Sequence, residues 1–337
     1  MISIEKRKQN WVDFYDLNSD VNRMLLVECP WLTAEKPMLW WEKADDRVNW
    51  AYENYERQME NTAWLHDSKV PFMSMITGTE IFAEAFGCGV HKPLNNNPCA
   101  MPLVFSTDDL YKVKVPKVCD TKLSILFDMA DKLKKRAGKD ALLSLPDVQT
   151  PMDIAALIWE KSDFFPALYE EPEAVKELTF KIKEFMFEFF DQWFLRYGKE
   201  FSAHFPDYYM PYGITMSEDE IGCVNSGMYK EFFEKELHEF SERYGQIGIH
   251  CCADAAHQWE NLKNVPNLKL INIGKDEQQV YDSAKLFENV CAQFPLTQGI
   301  DIPRLEKNSK IHYVRQITVQ TRQEAIDAVS MFQSQDI

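Results

Sequence analysis

The chain has 337 residues, 45% of them apolar and 13% aromatic, more than one minimal core needs. At roughly 150 residues per domain, that length means two domains or one decorated (β/α) barrel. Its 37 Lys and Arg face 53 Asp and Glu, a formal charge of −16, which disfavours nucleic acid and anionic membrane surfaces as partners.

In chain order, residues 1–10 carry Glu5, Lys6, Arg7 and Lys8 without an apolar segment, so they do not read as a signal peptide. Apolar runs such as 154–159 fall far below the ~20 residues that span a bilayer. The expectation is a soluble, cytoplasmic protein. Its eight cysteines have no framework spacing and read as buried thiols, with metal or catalytic duty for one or two.

Residues 1–115 read as an irregular extension. It holds a helix over 47–65, a strand over 70–76, a helix over 80–86 stopped by Gly87, and Pro- and Asn-rich loops with short strands over 92–116. Residues 116–337 have a regular rhythm. A helix over 120–138 precedes a strand over 141–149, and Thr150-Pro151 opens a helix as N-cap and first turn. Pro172 opens a long helix ending near Gly198, and a second runs over 226–244 to Gly245. Strands over 246–252, 268–273, 295–300 and 311–317 then alternate with helices over 254–264, 277–291 and 321–332. Such alternation predicts a parallel sheet. No Gly-rich turn follows any strand, so a doubly wound open sheet is the weaker reading. The predicted fold is α/β, a (β/α)8 TIM barrel with an N-terminal extension packed on it as one structural domain.

The most informative segment is Gly-Gln-Ile-Gly-Ile-His-Cys-Cys-Ala-Asp, residues 245–254. Side chains alternate along a strand, so Ile247, Ile249 and Cys251 share the face that packs on outer helices. Gly248, His250 and Cys252 share the other, with the two polar residues at the carboxyl end that forms a barrel's active-site mouth. An imidazole nitrogen and a thiolate two residues apart suit zinc. The competing explanation is a chance His-x-Cys pair in a core where cysteine is common.

Several stretches together resemble the uroporphyrinogen decarboxylase superfamily, which includes decarboxylases and corrinoid-dependent methyltransferases. They are Thr150-Pro151, then Leu168-Tyr169-Glu170-Glu171-Pro172-Glu173, and Met216-Ser217-Glu218-Asp219-Glu220 followed by Ser226-Gly227-Met228-Tyr229. Gly248 to Asp254 and Leu296 to Asp301 complete the set. The likeness spans roughly residues 70–332 and implies a (β/α)8 barrel. Departures narrow it. Glu42 stands where an Arg is expected, Gly78 near an Asp position and Leu157 near a Tyr, and no late Gly-His-Gly is present. A carboxylate such as Glu42 repels a substrate bearing many carboxylates, so uroporphyrinogen is not the expected substrate.

The methyltransferase branch fits better. There the resemblance implies zinc held by His-x-Cys and a later Cys, with a substrate thiol made available as thiolate. The last strand here has no cysteine; His312, Val314 and Gln316 share one of its faces. The third ligand is expected from Asp219, with Glu218, Asp254, His257, Cys223 and Gln316 as alternatives, and Cys291 is expected at the opposite rim. Asp219 is also the preferred catalytic residue, since the family motif places an acid there. Candidate substrate-binding residues are Asp147 and Gln149 at a strand end, Gln316 on the last strand, and Tyr208, Tyr209 and Tyr212. Those tyrosines form a cluster suited to an apolar pocket wall or to a packed surface loop. Trp40-Trp41 reads as a core anchor. His66, His91, His204 and His238 receive no role.

The expected activity is methyl transfer between a small substrate and a corrinoid carrier protein or thiol, zinc-assisted. The alternatives are a metal-free decarboxylase of another carboxylated substrate and a non-catalytic barrel that binds corrinoid or a small molecule.

Overall fold

The computed structural model describes residues 2–297, 299–300 and 310–334. Among them, eight parallel strand positions follow one another in chain order around a TIM barrel. They are β1 (Arg23–Glu28), β2 (Phe72–Met73), β3 (Leu142–Leu143), β4 (Ile214–Ser217), β5 (Ile247–His250), β6 (Leu268–Asn272), β7 (Ala292–Gln293) and β8 (Tyr313–Thr318). The strands β4-β5-β6-β7-β8-β1 form one six-stranded sheet, and β2 pairs with β3. A parallel bridge between Gln149 and Ser217 ties the chain beyond β3 to β4.

The first strand lies inside the segment that reads from sequence as an extension. Its residues Met24 to Val27 are all buried, so the period-2 signal of a half-exposed strand is missing. Parallel pairing of β1 with β8 brings the two ends of the chain together. The strand expected over 70–76 pairs only at Phe72–Met73. The strand expected over 295–300 pairs instead at Ala292–Gln293, and Gln298 within it lies outside the described residues. Asp301 of the family-like segment lies outside them too.

One backbone hydrogen bond and two side-chain acceptors link β1 to the segment before β2. Ser68 N–H donates to the Leu25 carbonyl at 2.7 Å, while Leu25 N–H donates to Ser68 Oγ and Val27 N–H to Asp67 Oδ2, both at 3.1 Å. From the N-terminal helix α1 (Ile4–Phe14), Arg7 reaches beneath this seam. Its guanidinium donates to Asp67 Oδ1 at 2.7 Å and to the Asp67 and Leu65 carbonyls at 2.6 and 2.5 Å. Both side chains are nearly sealed from solvent. Burial is the larger influence on Asp67 and raises its carboxyl above the usual range despite Arg7.

One large apolar core joins α1, most of the barrel and the outer helices, with two smaller clusters beside it. The helix α2 (Ala44–Asn61) packs on α3 (Ser124–Ala137), and α4 (Pro151–Ile158) packs on the long α5 (Pro172–Tyr197). Aromatic rings hold α5 in place: Phe189 meets Phe82 and Phe127 edge-on, each at 5.4 Å between ring centres. No helix among the described residues is long and apolar enough to cross a membrane.

One insertion matters for the site. The strand pair Phe201–Ser202 and Tyr209–Met210 wedges between β3 and β4, with Ser202 bridging Ser144 in parallel. Running parallel to β3, its first strand delivers the tip, residues 203–208, to the carboxyl end of the barrel.

Arg7→Ala leaves the buried Asp67 carboxylate unpaired at the seam. It should lower unfolding free energy by about 3–5 kcal/mol, measured by chemical denaturation. A loss below about 1 kcal/mol would mean the seam does not depend on this pair.

Candidate metal centre

Three adjacent strands end in register. Ser217 of β4 pairs with His250 of β5, and His250 pairs with Asn272 of β6. The chain continues the alignment past the strand ends, since Glu218 N–H donates to the His250 carbonyl at 2.8 Å and Cys251 N–H to the Asn272 carbonyl at 3.1 Å. Asp219 and Cys252, each two residues beyond a paired position, therefore stand next to one another. Asp219 Oδ1 accepts from Cys252 N–H at 2.6 Å and Oδ2 from the Cys252 thiol at 3.1 Å.

His250 joins them. One ligand atom from each of Asp219, His250 and Cys252 lies within 4.8 Å of the others. Bonds of about 2.0–2.3 Å around tetrahedral zinc place ligand atoms about 3.3–3.7 Å apart, so small side-chain rotations suffice. The donor set of one imidazole, one thiol and one carboxylate fits zinc. Burial and the Asp219 hydrogen bond push the Cys252 thiol up to about 12, so in the metal-free protein it is a protonated donor.

The imidazole orientation follows from its neighbour. Asn272 Nδ2 donates to the Phe294 carbonyl at 2.6 Å, which turns Oδ1 toward His250 Nδ1 at 2.5 Å. An amide oxygen only accepts, so Nδ1 carries the proton and Nε2 keeps its lone pair. His250 is nearly buried, and the edge of Phe205 meets its ring at 4.9 Å between centres.

The loop bearing Asp219 is held from below. Asp153, in the first turn of α4, accepts from Asp219 N–H at 2.8 Å and Glu220 N–H at 2.9 Å. Burial drives the neighbouring Glu218 carboxyl far above its usual range, with Asp153 reinforcing the shift. Burial raises the Asp153 carboxyl as well, to about 7, and its hydrogen bonds from the Asp219 and Glu220 N–H groups and from Glu218 oppose the shift.

Beside this centre a narrow cleft is lined by Asp147, His204, Phe205, Tyr208, Met216 and His250, among others. Asp147 Oδ2 pairs with His204 Nε2 at 3.2 Å. Gly248 is needed opposite, because a Cβ there would collide with the Tyr208 hydroxyl and lie 3.0 Å from Thr215 Cγ2.

The structure thus brings together Asp219, His250 and Cys252, with Asp147 and Tyr208 alongside. Gln149 bridges to Ser217 nearby, with its Oε1 buried and unpartnered. Other sequence-selected residues lie elsewhere. Tyr209 is buried near α1, where Lys8 sits 5.6 Å from its ring centre. Tyr212 lines a hollow with Gln246, Leu268 and Cys291 at the amino-terminal rim. Both leave the cleft because the tyrosines sit on an insertion that turns back down the barrel wall. Gln316 lies across the mouth, 3.4 Å from Glu28. Among the alternative ligands, Asp254 accepts from Gln279, His257 contacts the Val224 carbonyl, and Glu218 is buried. Glu42 is on the surface, paired with Lys92 at 2.8 Å, and the Glu80 carboxylate fills the space beside Gly78.

Sequence reasoning missed His204, Asp153 and Asn272. Asn272 had a legible signal, a polar residue ending an apolar strand next in order to the His-Cys strand. His204 had none, because a hairpin tip has no periodicity.

Residues 71–296 match the uroporphyrinogen decarboxylase (URO-D) family. The chain belongs to the uroporphyrinogen decarboxylase family. The matched span runs from just before β2 to just after β7, so β1 and β8 lie outside it. No curated protein matches the sequence significantly. Among solved structures the chain is similar to a methyltransferase from Methanosarcina mazei, at 10% identity with a TM-score of 0.67, covering 99% of each chain. At that identity the likeness establishes the shared TIM-barrel fold.

Nitrogen-15 spectra of the metal-free protein should show His250 protonated on Nδ1, and Asn272→Leu should abolish that preference. A wild-type imidazole protonated on Nε2 would contradict the assigned hydrogen-bond direction.

Proposed function

We propose that this family member is an enzyme that passes a methyl group between a small substrate and a thiol or corrinoid carrier protein, with zinc at the barrel mouth. The observation that carries the reading is the convergence of Asp219, His250 and Cys252 from two neighbouring strand ends. The fold shared with a methyltransferase supports it.

In this reading His250, Cys252 and Asp219 would hold zinc, the imidazole offering its unprotonated Nε2, the cysteine its sulfur and the aspartate a carboxylate oxygen. When bound, zinc acts as a Lewis acid that makes a thiol available as thiolate at neutral pH. The chain's own groups do the rest. Asn272 fixes the imidazole, as outer hydrogen-bond partners of metal ligands do. Asp153 fixes the Asp219 loop through two backbone N–H groups. Phe205 and Tyr208 limit water access on the cleft side, and the Asp147–His204 pair offers polar contact to the substrate. Carboxylate in place of a second thiolate makes the centre harder and its ligand field less electron-rich than a two-cysteine site.

Purified protein should hold one zinc per chain. Cys252→Ala should abolish stoichiometric zinc, Asp219→Asn should weaken binding about 10–100-fold, and Cys291→Ala should leave it unchanged, all by metal analysis after chelator treatment and reloading. Equal zinc retention by Cys252→Ala would remove the proposed centre.

A further inference from the structure

A pocket of about 510 Å³ opens between the end of β1, the seam before β2 and the helix α2. Asn54, Arg57, Gln58 and Asn61 form its helix wall, because spacings of three and four residues put them on one face of α2. Its floor is closed from solvent, with Arg7, Leu65 and Asp67 all buried.

Several polar groups of this pocket are already committed. Asp67 pairs with Arg7 at 2.7 Å and Glu28 with Lys69 at 3.0 Å, so each acid on the wall has its base. Gln58 uses both ends of its amide on the Phe72 backbone, at 3.0 and 3.2 Å. What remains among the described residues is rich in donors. Asn54 makes no hydrogen bond, and Asn61 accepts from Trp64 Nε1 at 3.1 Å while its Nδ2 has no partner. Arg57 has only the exposed Glu53 carboxylate, at 3.8 Å. Arg7 is 1% exposed, and its Nε is buried without a partner. A guanidinium N–H only donates, and leaving it buried and unpaired costs free energy that a bound acceptor would recover.

Charge narrows the class of ligand. Three basic and two acidic side chains line the pocket, so the two ion pairs leave one positive charge, that of Arg57. One net charge suits a monoanion better than a phosphate dianion. The rest of the wall is apolar, with Val27, Leu32, Leu65 and Pro71. Burial pushes the Cys29 thiol up to about 11, so it adds another neutral surface. The space holds roughly four to six non-hydrogen atoms.

We propose that this pocket binds a short-chain aliphatic carboxylate. Its carboxylate accepts from Arg57, with Arg7 Nε as a second donor, and its alkyl chain lies against Val27, Leu32 and Leu65. The site stands apart from the metal centre and does not depend on the methyl-transfer reading.

Three probes separate charge from shape: butyrate, its neutral analogue butyramide, and inorganic phosphate. Titration calorimetry on the full chain should show butyrate binding at least about tenfold more tightly than either of the others. Arg57→Gln should reduce butyrate to the level of butyramide. Glu53→Gln removes the competing carboxylate and should tighten butyrate about two- to fivefold. Such opposite shifts would not follow from a structural role of Arg57 alone. Both side chains are partly exposed, so both variants should stay folded, which their thermal transitions without ligand verify. No binding of butyrate, equal affinity for butyramide, tighter binding of phosphate, unchanged affinity in Arg57→Gln or weaker affinity in Glu53→Gln would overturn the proposal.

Discussion

The site depends on one constraint, the parallel register that sets Ser217, His250 and Asn272 side by side. A slip of one residue in β5 would turn His250 outward and bring Cys251 to the mouth, because side chains alternate strictly along a strand. Register also decides which loops meet. With Ser217 level with His250, Asp219 and Cys252 leave their strands at the same height and exchange two hydrogen bonds. The same alignment offers Asn272 to the imidazole. Strand pairing thus performs three tasks that would otherwise need separate support.

Electrostatics divides the mouth into two halves. On the β4–β5 side, acids are buried and managed internally. Burial holds the Glu218 carboxyl far above its usual range, Asp153 accepts from two backbone N–H groups, and Asp219 accepts from Cys252. On the side nearer β1, Lys69 pairs with Glu28 at 3.0 Å. The hairpin tip carrying His204, Phe205 and Asp207 links the halves, touching His250 through Phe205 and Asp147 through His204.

Much of this was legible where the sequence has a period. Residues 246–252 alternate, and the structure keeps Cys251 buried and Cys252 exposed, as alternation requires. Helix signals such as Thr150-Pro151 and Gly245 were reliable because capping chemistry is local. β1 was not legible, because a strand buried on both faces has no polar residues to mark its alternation. The tyrosines of the insertion were ambiguous for a related reason. Tyr208 enters the cleft and Tyr209 leaves it, a difference set by where the hairpin turns and not by composition. Asn272 and Asp153 act through long-range hydrogen bonds, which only the assembled barrel creates.

The central claim is that one sulfur, one imidazole and one carboxylate share a zinc ion, and X-ray absorption at the zinc edge tests it most directly. The account predicts one sulfur scatterer at about 2.3 Å and nitrogen or oxygen scatterers at about 2.0–2.2 Å in the wild-type protein. The sulfur shell should vanish in Cys252→Ser, leaving only the lighter atoms. A spectrum with no sulfur neighbour in the wild type, or with two, would contradict the site as described.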